Sequence, residues 1–348
     1  MGNFSQSGVS KGAEKEKGGN KMKRKILCVM AMFLAVAVSL SAKILHQSEL
    51  PEELERFVDS LSVNDSLHYK NLHVFTLTTD AKKDFSNVLT LDEALKKDAL
   101  DIYEEDEGNV PVVEVKNHSK SYVYLMSGEI IAGGKQDRMI QKDTLIPPKS
   151  GKFKVAVYCT EEGRWEQKTE KFYSPDAVVG MKVKKAAEET KDQGAVWDKV
   201  AEYGAGLSTP SPTGAFKGVL DDKDVQKKSK KYVDALEKAP QLSKNTVGVV
   251  VAVGDEIIAA DIFSSPLLFQ KFWRKLLKSY VLEAIDRDDY GKLARKDAEK
   301  FLAQVYKADA AEEASSGSGE LFSLKSGKIT GTAIVFNDSV LHMDMFPR

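Results

Sequence analysis

The sequence predicts an α+β fold, with an antiparallel β-rich first half (a sandwich or curled sheet) and a mixed α/β second half. Short runs that alternate apolar and polar residues follow one another between residues 110 and 158. Stretches with apolar residues at helical spacing dominate residues 174 to 306, and three alternating runs close the chain. Alternation is typical of half-buried strands, whereas apolar residues three and four positions apart are typical of helices.

The first elements are predicted between residues 51 and 99. Residues 51 to 63 carry apolar residues at helical spacing, and residues 69 to 78 alternate as in a strand. Thr90 and Glu93 form a capping box, because the hydroxyl can accept from the amide of Glu93 while the carboxylate reaches back. A helix to about Ala99 should follow.

A series of short strands is predicted next, separated by turns such as Asn117-His118-Ser119 and Ser127-Gly128. Spacing of this kind suggests a sandwich or a curled sheet. The predicted strands are residues 110–115, 122–126, 129–132, 138–141 and 153–158.

The second half mixes helices and strands. Ser265 and Pro266 are a favourable cap and first residue for a helix over residues 267–285, which has a broad apolar face. Residues 207–218 are rich in Pro, Ser, Thr and Gly and predict a surface loop. Other helices are expected within 174–206, 221–239 and 298–306, a hairpin at 246–260, and final strands at 321–324, 329–336 and 340–345.

Residues 1–42 resemble an upstream extension followed by a signal peptide. A basic triplet at residues 23–25 precedes an apolar run from 26 to 40, and Ser41 and Ala42 follow. That order is typical of secretory signals, so we expect translation from Met22 and export to the bacterial periplasm or the extracellular space. The run falls short of the ~20 residues that span a bilayer, so no stable membrane anchor is expected after cleavage.

The remaining residues, 43–348, are expected to form a single intertwined α+β unit, because the final strands need partners. Two domains that meet near residues 175–205 are the alternative. The whole chain has a net charge of −1, and removal of residues 1–42 makes it more acidic. No nucleic-acid partner is therefore expected.

The histidines and cysteines predict neither a metal nor a cofactor. The five histidines show no short ligand spacing, and no phosphate-binding or dinucleotide-binding motif is present. Cys159 is the only cysteine beyond residue 42, which excludes an internal disulfide in the exported chain. It lies in an alternating run, so a buried strand thiol is favoured over a nucleophile.

Unusual residues are densest between Gly128 and Trp165. The stretch begins GEIIAGGKQDR, continues through LIPP and ends VYCTEEGRW. Together with VGVVVAVGDEIIAADIF, it resembles the family named ARG and rhodanese-phosphatase-superfamily-associated protein domain, where ARG is ADP-ribosylglycohydrolase. The resemblance spans roughly residues 65 to 346. It implies a fold unit and a motif region, not an activity.

Two clusters in this stretch, residues 135–138 and residues 162–165, are the candidate site. If they meet, glycine amides and side chains could grip a carboxylate, a phosphate or a sugar. Alternatively, the first is a buried ion pair or a turn under the tryptophan, and the second is a structural corner. The candidate ligand-binding residues are Glu129, Lys135, Gln136, Asp137, Arg138, Glu162, Arg164 and Trp165.

Two classes of function remain open. The first is a non-catalytic exported module that binds a small polar ligand or a protein partner. The second is a hydrolase or transferase for a nucleotide-, ADP-ribose- or sugar-like substrate, with Glu129, Asp137 or Glu162 as acid/base and Arg138 as electrostatic clamp. Asp261 is a further acid/base candidate, although a carboxylate at a helix start is the favoured interpretation.

Overall fold

The computed structural model describes residues 50–105, 111–285, 287–291 and 293–348. They belong to one compact unit with bounds Glu49–Arg348. The predicted extension and signal peptide, residues 1–42, lie outside the described residues. Among the helices that are described, none is long and apolar enough to span a bilayer.

The fold is α+β with a β-rich first half, as predicted. The first half is built mostly from short strands. Its elements are α1 (Glu52–Asp59), β1 (Ser62–Tyr69), β2 (Leu72–Thr78), β3 (Val88–Thr90), α2 (Leu91–Lys96), β4 (Leu100–Glu104), β5 (Val112–Asn117), β6 (Tyr122–Leu125), β7 (Ile130–Ile131), β8 (Arg138–Ile140), β9 (Thr144–Ile146) and β10 (Phe153–Cys159).

The second half alternates helices with strands. Short 3₁₀ turns at Ala239–Leu242 and Ala303–Lys307 complete it. Its elements are α3 (Met181–Thr190), α4 (Gln193–Gly206), α5 (Phe216–Asp221), α6 (Lys223–Leu236), β11 (Thr246–Val253), β12 (Glu256–Phe263), α7 (Pro266–Ala284), α8 (Arg295–Leu302), β13 (Asp309–Glu313), β14 (Glu320–Lys325), β15 (Ile329–Val335) and β16 (Val340–Pro347).

An antiparallel sheet of eight strands, in the order β1-β2-β11-β12-β16-β15-β14-β13, joins the two halves of the chain. Helix α7 packs on one face, and α1 and α8 pack on the other. All eight residues of β11 are buried, because both faces of the sheet are covered. Covered strands of this kind read as continuous apolar runs, which explains the TVGVVVAV sequence of β11.

Two smaller sheets enclose a separate apolar core in the first half. One has the order β4-β5-β10-β8-β7 and the other the order β3-β6-β9. Strands β3 and β6 pair in parallel, and the other pairs of these two sheets are antiparallel. The pairing of β8 with β10 sets Arg138 opposite Cys159. This register positions the candidate site.

Several local predictions are confirmed. Thr90 and Glu93 form the capping box of α2, and the Ser265 hydroxyl caps α7. The apolar face of α7 is core, with Leu276 and Phe272 fully buried. Cys159 is a buried thiol, whose pKa burial raises to about 11, so it stays protonated near neutral pH.

The strands that sequence patterns missed include β1 and β13, the two edges of the eight-stranded sheet. Most of their side chains are partly or fully exposed, so no apolar alternation marks them. The predicted helix over residues 51–63 ends at Asp59, because β1 begins at Ser62. A tight turn at Lys70, with φ of 51°, then connects β1 to β2.

Candidate functional site

The two predicted clusters meet beside the end of β10. The Gln136 amide donates to the backbone carbonyl of Glu162 at 3.1 Å. Arg164 donates to the carbonyl of Gly134 at 2.8 Å and lies 3.2 Å from the Asp137 carboxylate. The loop between them thus folds back and places the clusters against each other.

Glu161, which the sequence did not single out, supplies the acidic partner at the centre of this contact. Its carboxylate lies 2.6 Å from Arg164 and accepts from the backbone amide of Asp137 at 3.0 Å. The Thr213 hydroxyl donates to its other oxygen at 2.7 Å. Burial opposes ionisation, but Arg164 and Thr213 together lower the pKa of Glu161. We call Gln136, Asp137, Glu161 and Arg164 the surface network.

The neighbouring residue Glu162, a candidate, is exposed, and only its backbone carbonyl joins these contacts. Arg164 pairs with Glu161 and Asp137 and not with the adjacent Glu162. The carboxylate of Glu161, one position before Glu162, points into the protein just after the end of β10.

Arg138 extends from β8 into the interior and is fully buried. It donates to the Val112 carbonyl at 3.1 Å and to Glu104 at 2.5 Å. Its guanidinium carbon lies 5.5 Å from the centre of the Phe172 ring. Its side-chain partners therefore lie within the domain, and the buried ion-pair alternative fits it better than a ligand clamp.

Lys135 and Trp165 form the outer part of the predicted site. The Trp165 side chain is 52% exposed, and the Lys135 ammonium lies 5.1 Å from its ring centre. The Lys135 backbone amide donates to Glu104 at 2.7 Å. These two side chains remain partly or largely accessible, while Gln136, Asp137 and Arg138 are buried.

Glu129 belongs to a different cluster. Its carboxylate accepts from the Met126 amide at 2.7 Å and pairs with Lys275 of α7, which also pairs with Asp92. Burial raises the pKa of Glu129 to about 7, although Lys275 opposes that shift. Because Glu129 is fully buried, its role in the described structure is to join β7 to α7.

A second buried network contains three groups with strongly shifted pKa values, namely Lys184, Asp261 and His342. It joins the eight-stranded sheet, α3 and the loop before β9, and every member is essentially inaccessible to solvent. We call it the core network: Asp143, Lys184, Asp261, His342 and Asp344.

His342 lies between two carboxylates in the core network. Its Nδ1 is 2.7 Å from Asp143, and its Nε2 is 3.3 Å from Asp261. Burial disfavours the imidazolium and lowers the pKa of His342. The attraction of the two carboxylates outweighs that effect and raises the pKa to about 9. The ring is therefore charged at neutral pH.

Lys184 of α3 completes the network by contacting two strands of the eight-stranded sheet. Its ammonium lies 2.8 Å from Asp344 and 3.3 Å from Asp261. Burial raises the pKa of a carboxyl group, yet Lys184 and His342 hold the pKa of Asp261 well below its usual range. The Tyr280 hydroxyl donates to the same carboxylate at 2.5 Å.

Asp261 therefore sits within β12, and its predicted place at a helix start is wrong. A sequence signal for the core network exists nonetheless. His342 and Asp344 alternate with apolar residues on β16, so they share one face, and Asp261 interrupts an apolar strand in the same way. Gly331 is a second signal, because a Cβ atom there would lie 2.2 Å from the Asp344 carbonyl oxygen.

The structure also contains a cavity of about 380 Å³ beside α6 and α7. Buried apolar side chains contribute to its wall, among them Val225, Val233 and Leu282. Charged residues surround them. Within the described part of the chain, Arg274 and the Glu237 carboxylate have no ion-pair partner, although both line the cavity.

Among the residues that the structure describes, no group of three or more His, Cys, Asp or Glu side chains is arranged to hold a metal ion. The fold and its networks define an α+β domain whose two halves are tied together by buried ion pairs. The chain belongs to the ARG and Rhodanese-Phosphatase-superfamily-associated Protein domain family, whose model matches residues 60–346. Neither curated proteins nor solved structures gave a significant match.

Proposed function

We propose that this domain is a non-catalytic binding module for a small zwitterion with an apolar group, such as an apolar amino acid or a short peptide. The observation that carries the proposal is the cavity beside α6 and α7, which combines an apolar wall with one unpaired cation and one unpaired anion. Ligand pockets of ~300–1,000 Å³ typically combine apolar lining with a few polar anchors.

The charges of the cavity favour a zwitterion over a simple anion. Lys230 pairs with Asp234, Lys278 lies 3.7 Å from Asp176, and Asp221 pairs with Lys217, so these charges largely compensate one another. Arg274 and Glu237 remain, one of each sign. A ligand carboxylate would suit the planar fork of the guanidinium, and a ligand ammonium would suit Glu237.

The apolar wall supplies the other part of recognition. Four buried apolar residues line the cavity, namely Ala177, Val225, Val233 and Leu282. An apolar side chain of the ligand placed against them would be removed from water, and no hydrogen bond of the protein would be broken. Burial of such a side chain contributes roughly 1.5–3 kcal/mol. The earlier candidates then serve the fold, because Arg164 pairs with Asp137, Arg138 pairs with Glu104 and Gln136 donates to the Glu162 carbonyl.

Export is part of the same proposal and rests on residues 1–42. An exported module of this kind would meet its ligand in the periplasm or outside the cell. Intact-mass measurement of the protein from its native host should show a chain that begins near Ser41 or Ala42. A cytoplasmic product that keeps residues 22–40 would contradict export without affecting the binding proposal.

The binding experiment uses leucine, phenylalanine and dileucine as probes in calorimetric titrations. Arg274→Gln should weaken leucine binding about 10–100-fold, because a charge-assisted hydrogen bond contributes ~1.5–3 kcal/mol. Leucinol, which lacks the carboxylate, should bind the wild type and the variant equally. Arg295→Gln, an exposed arginine of α8, is the matched control and should change nothing.

A steric variant tests the location independently of charge. Ser229→Trp places a large side chain on the cavity wall and should abolish binding of all three probes while leaving the unfolding transition in place. Binding that survives both Arg274→Gln and Ser229→Trp would exclude this cavity. Chemical alteration of a nucleotide, ADP-ribose or sugar after incubation would instead favour the hydrolase or transferase alternative.

A further inference from the structure

A second opening, a narrow cleft of about 30 Å³, lies where α3 meets the edge of the eight-stranded sheet. This is about the space of one water molecule. Its lining is polar, with Ser127, Thr332 and Glu188 beside three lysines and Glu313. The cleft is separate in its lining residues from the cavity at Arg274.

Glu313 holds the lysines at this cleft together. One of its oxygens lies 2.5 Å from the Lys142 ammonium, and the other lies 2.6 Å from the Lys191 ammonium. The third lysine, Lys325, lines the cleft and forms no ion pair with any residue that the structure describes. Two ammonium groups thus contact one ionised carboxylate, and Lys325 adds a third positive charge to the lining of the cleft.

Glu188 also lines the cleft, beside Thr330. Its carboxyl group accepts from the Thr330 hydroxyl at 3.1 Å. Burial, followed by the negative charge of Asp344, raises the pKa of Glu188 well above its usual range, which favours the neutral carboxyl form. A protonated carboxyl can donate to an anion, whereas a carboxylate would repel it.

We propose that this cleft is a binding site for a phosphate-type oxyanion, and that Glu313 occupies the site as a built-in competitor. Oxygens of the ligand would replace the Glu313 carboxylate between Lys142 and Lys191, and Lys325 would supply a third positive charge. Several ammonium groups around one anion are a typical arrangement for phosphate recognition.

The position of Glu313 in the fold permits this exchange. It is the last residue of β13, an edge strand that pairs with β14. Glu313 pairs with Leu321 of β14, so the end of this edge strand can withdraw without breaking interior strand pairs. Lys142 and Lys191 come from other elements and would stay in place to receive the ligand.

The test is a calorimetric titration with inorganic phosphate at fixed ionic strength. Glu313→Gln removes the competing charge and should bind phosphate at least about 10-fold more tightly than the wild type. Glu312→Gln is the matched control, because Glu312 is an exposed carboxylate on the same strand. Addition of Lys142→Gln to Glu313→Gln should remove the gain.

An affinity of Glu313→Gln no higher than that of Glu312→Gln would overturn the proposal. Should Glu313→Gln not fold, Lys142→Gln alone is the second variant, because loss of one of the two ammonium groups that face Glu313 should weaken phosphate binding relative to Glu312→Gln. Ser229→Trp should leave phosphate binding unchanged, so failure of this proposal and failure of the amino-acid proposal are distinguishable.

Discussion

The surface network and the core network both hold carboxylates against basic side chains, yet their members are drawn from very different parts of the chain. The surface network comes from residues 136 to 164, whereas the core network joins residues 143 to 344. The Arg164 side chain keeps 13% exposure, while Lys184 and His342 keep 1% or less. A short-range network can organise one corner, but only a long-range network can hold two halves together.

Burial determines how much each network should stabilise the fold. Breaking a fully buried pair leaves a charge without water or partner and costs about 3–5 kcal/mol, whereas exposed pairs contribute roughly 0–1 kcal/mol. Partial exposure lets water replace some of the lost contacts. The core network should therefore show the larger effects in every comparison below.

The largest effect is expected for Lys184→Met, which keeps the length of the side chain but removes its charge. Asp344 would then be buried without its cation and Asp261 would keep only His342 as a cation, so the free energy of unfolding should fall by about 3–5 kcal/mol. Urea denaturation measures this. Lys185→Met, on the same helix, is the control, and a loss below about 1 kcal/mol in Lys184→Met would remove the distinction between the networks.

The next effect is a pH dependence caused by His342. The folded-state pKa of about 9 lies above the ordinary 6.5, so the stabilisation is complete below about pH 6.5 and is lost as the pH rises through 9. A shift of this size corresponds to roughly 3 kcal/mol.

Unfolding free energies of the wild type and His342→Gln, measured from pH 6 to 10, isolate this contribution. The difference between the two proteins should shrink by about 3 kcal/mol across that range. Glu129 and Glu283, whose pKa values burial raises to about 7, titrate in both proteins and cancel in the difference. Parallel profiles would show that His342 does not gain its charge in the fold.

The smallest effect concerns the neighbours Glu161 and Glu162. Glu161→Gln should lose about 1–3 kcal/mol of stability, because its charge-assisted bonds to Arg164 and the Asp137 amide weaken. Glu162→Gln should stay within about 0.5 kcal/mol, as expected for an exposed side chain. Thermal unfolding of both variants provides the comparison, and equal effects would mean that the surface network does not depend on Glu161.

Sequence patterns located most of the buried elements of this domain. Strand β11 and helix α7 could be predicted from the sequence, because burial of a regular element requires an apolar run or an apolar face. The capping box at Thr90 was readable because its contacts lie within four residues. The edge strands β1 and β13 left no such pattern, since solvent accepts almost any side chain.

The candidate site shows the same limit at the level of single residues. The sequence marked the region from Lys135 to Trp165, and the structure does bring its two clusters together. The sequence predicted Glu162 as a site residue and not Glu161. The direction of a side chain after the end of β10 depends on how the next loop packs, which the sequence pattern does not show. Thr213, which fixes Glu161, lies far outside the marked region.

The sequence by itself determined the fold class, the helices and strands with one strong periodicity, and the family to which the chain belongs. These depend on local spacing and on residue order, which the chain carries directly. Only the tertiary structure decided that Lys184, Asp261, His342 and Asp344 form one network and that Arg274 and Glu237 face one cavity. Such groupings arise when distant elements pack, because charges far apart in the chain become partners only once water between them is removed.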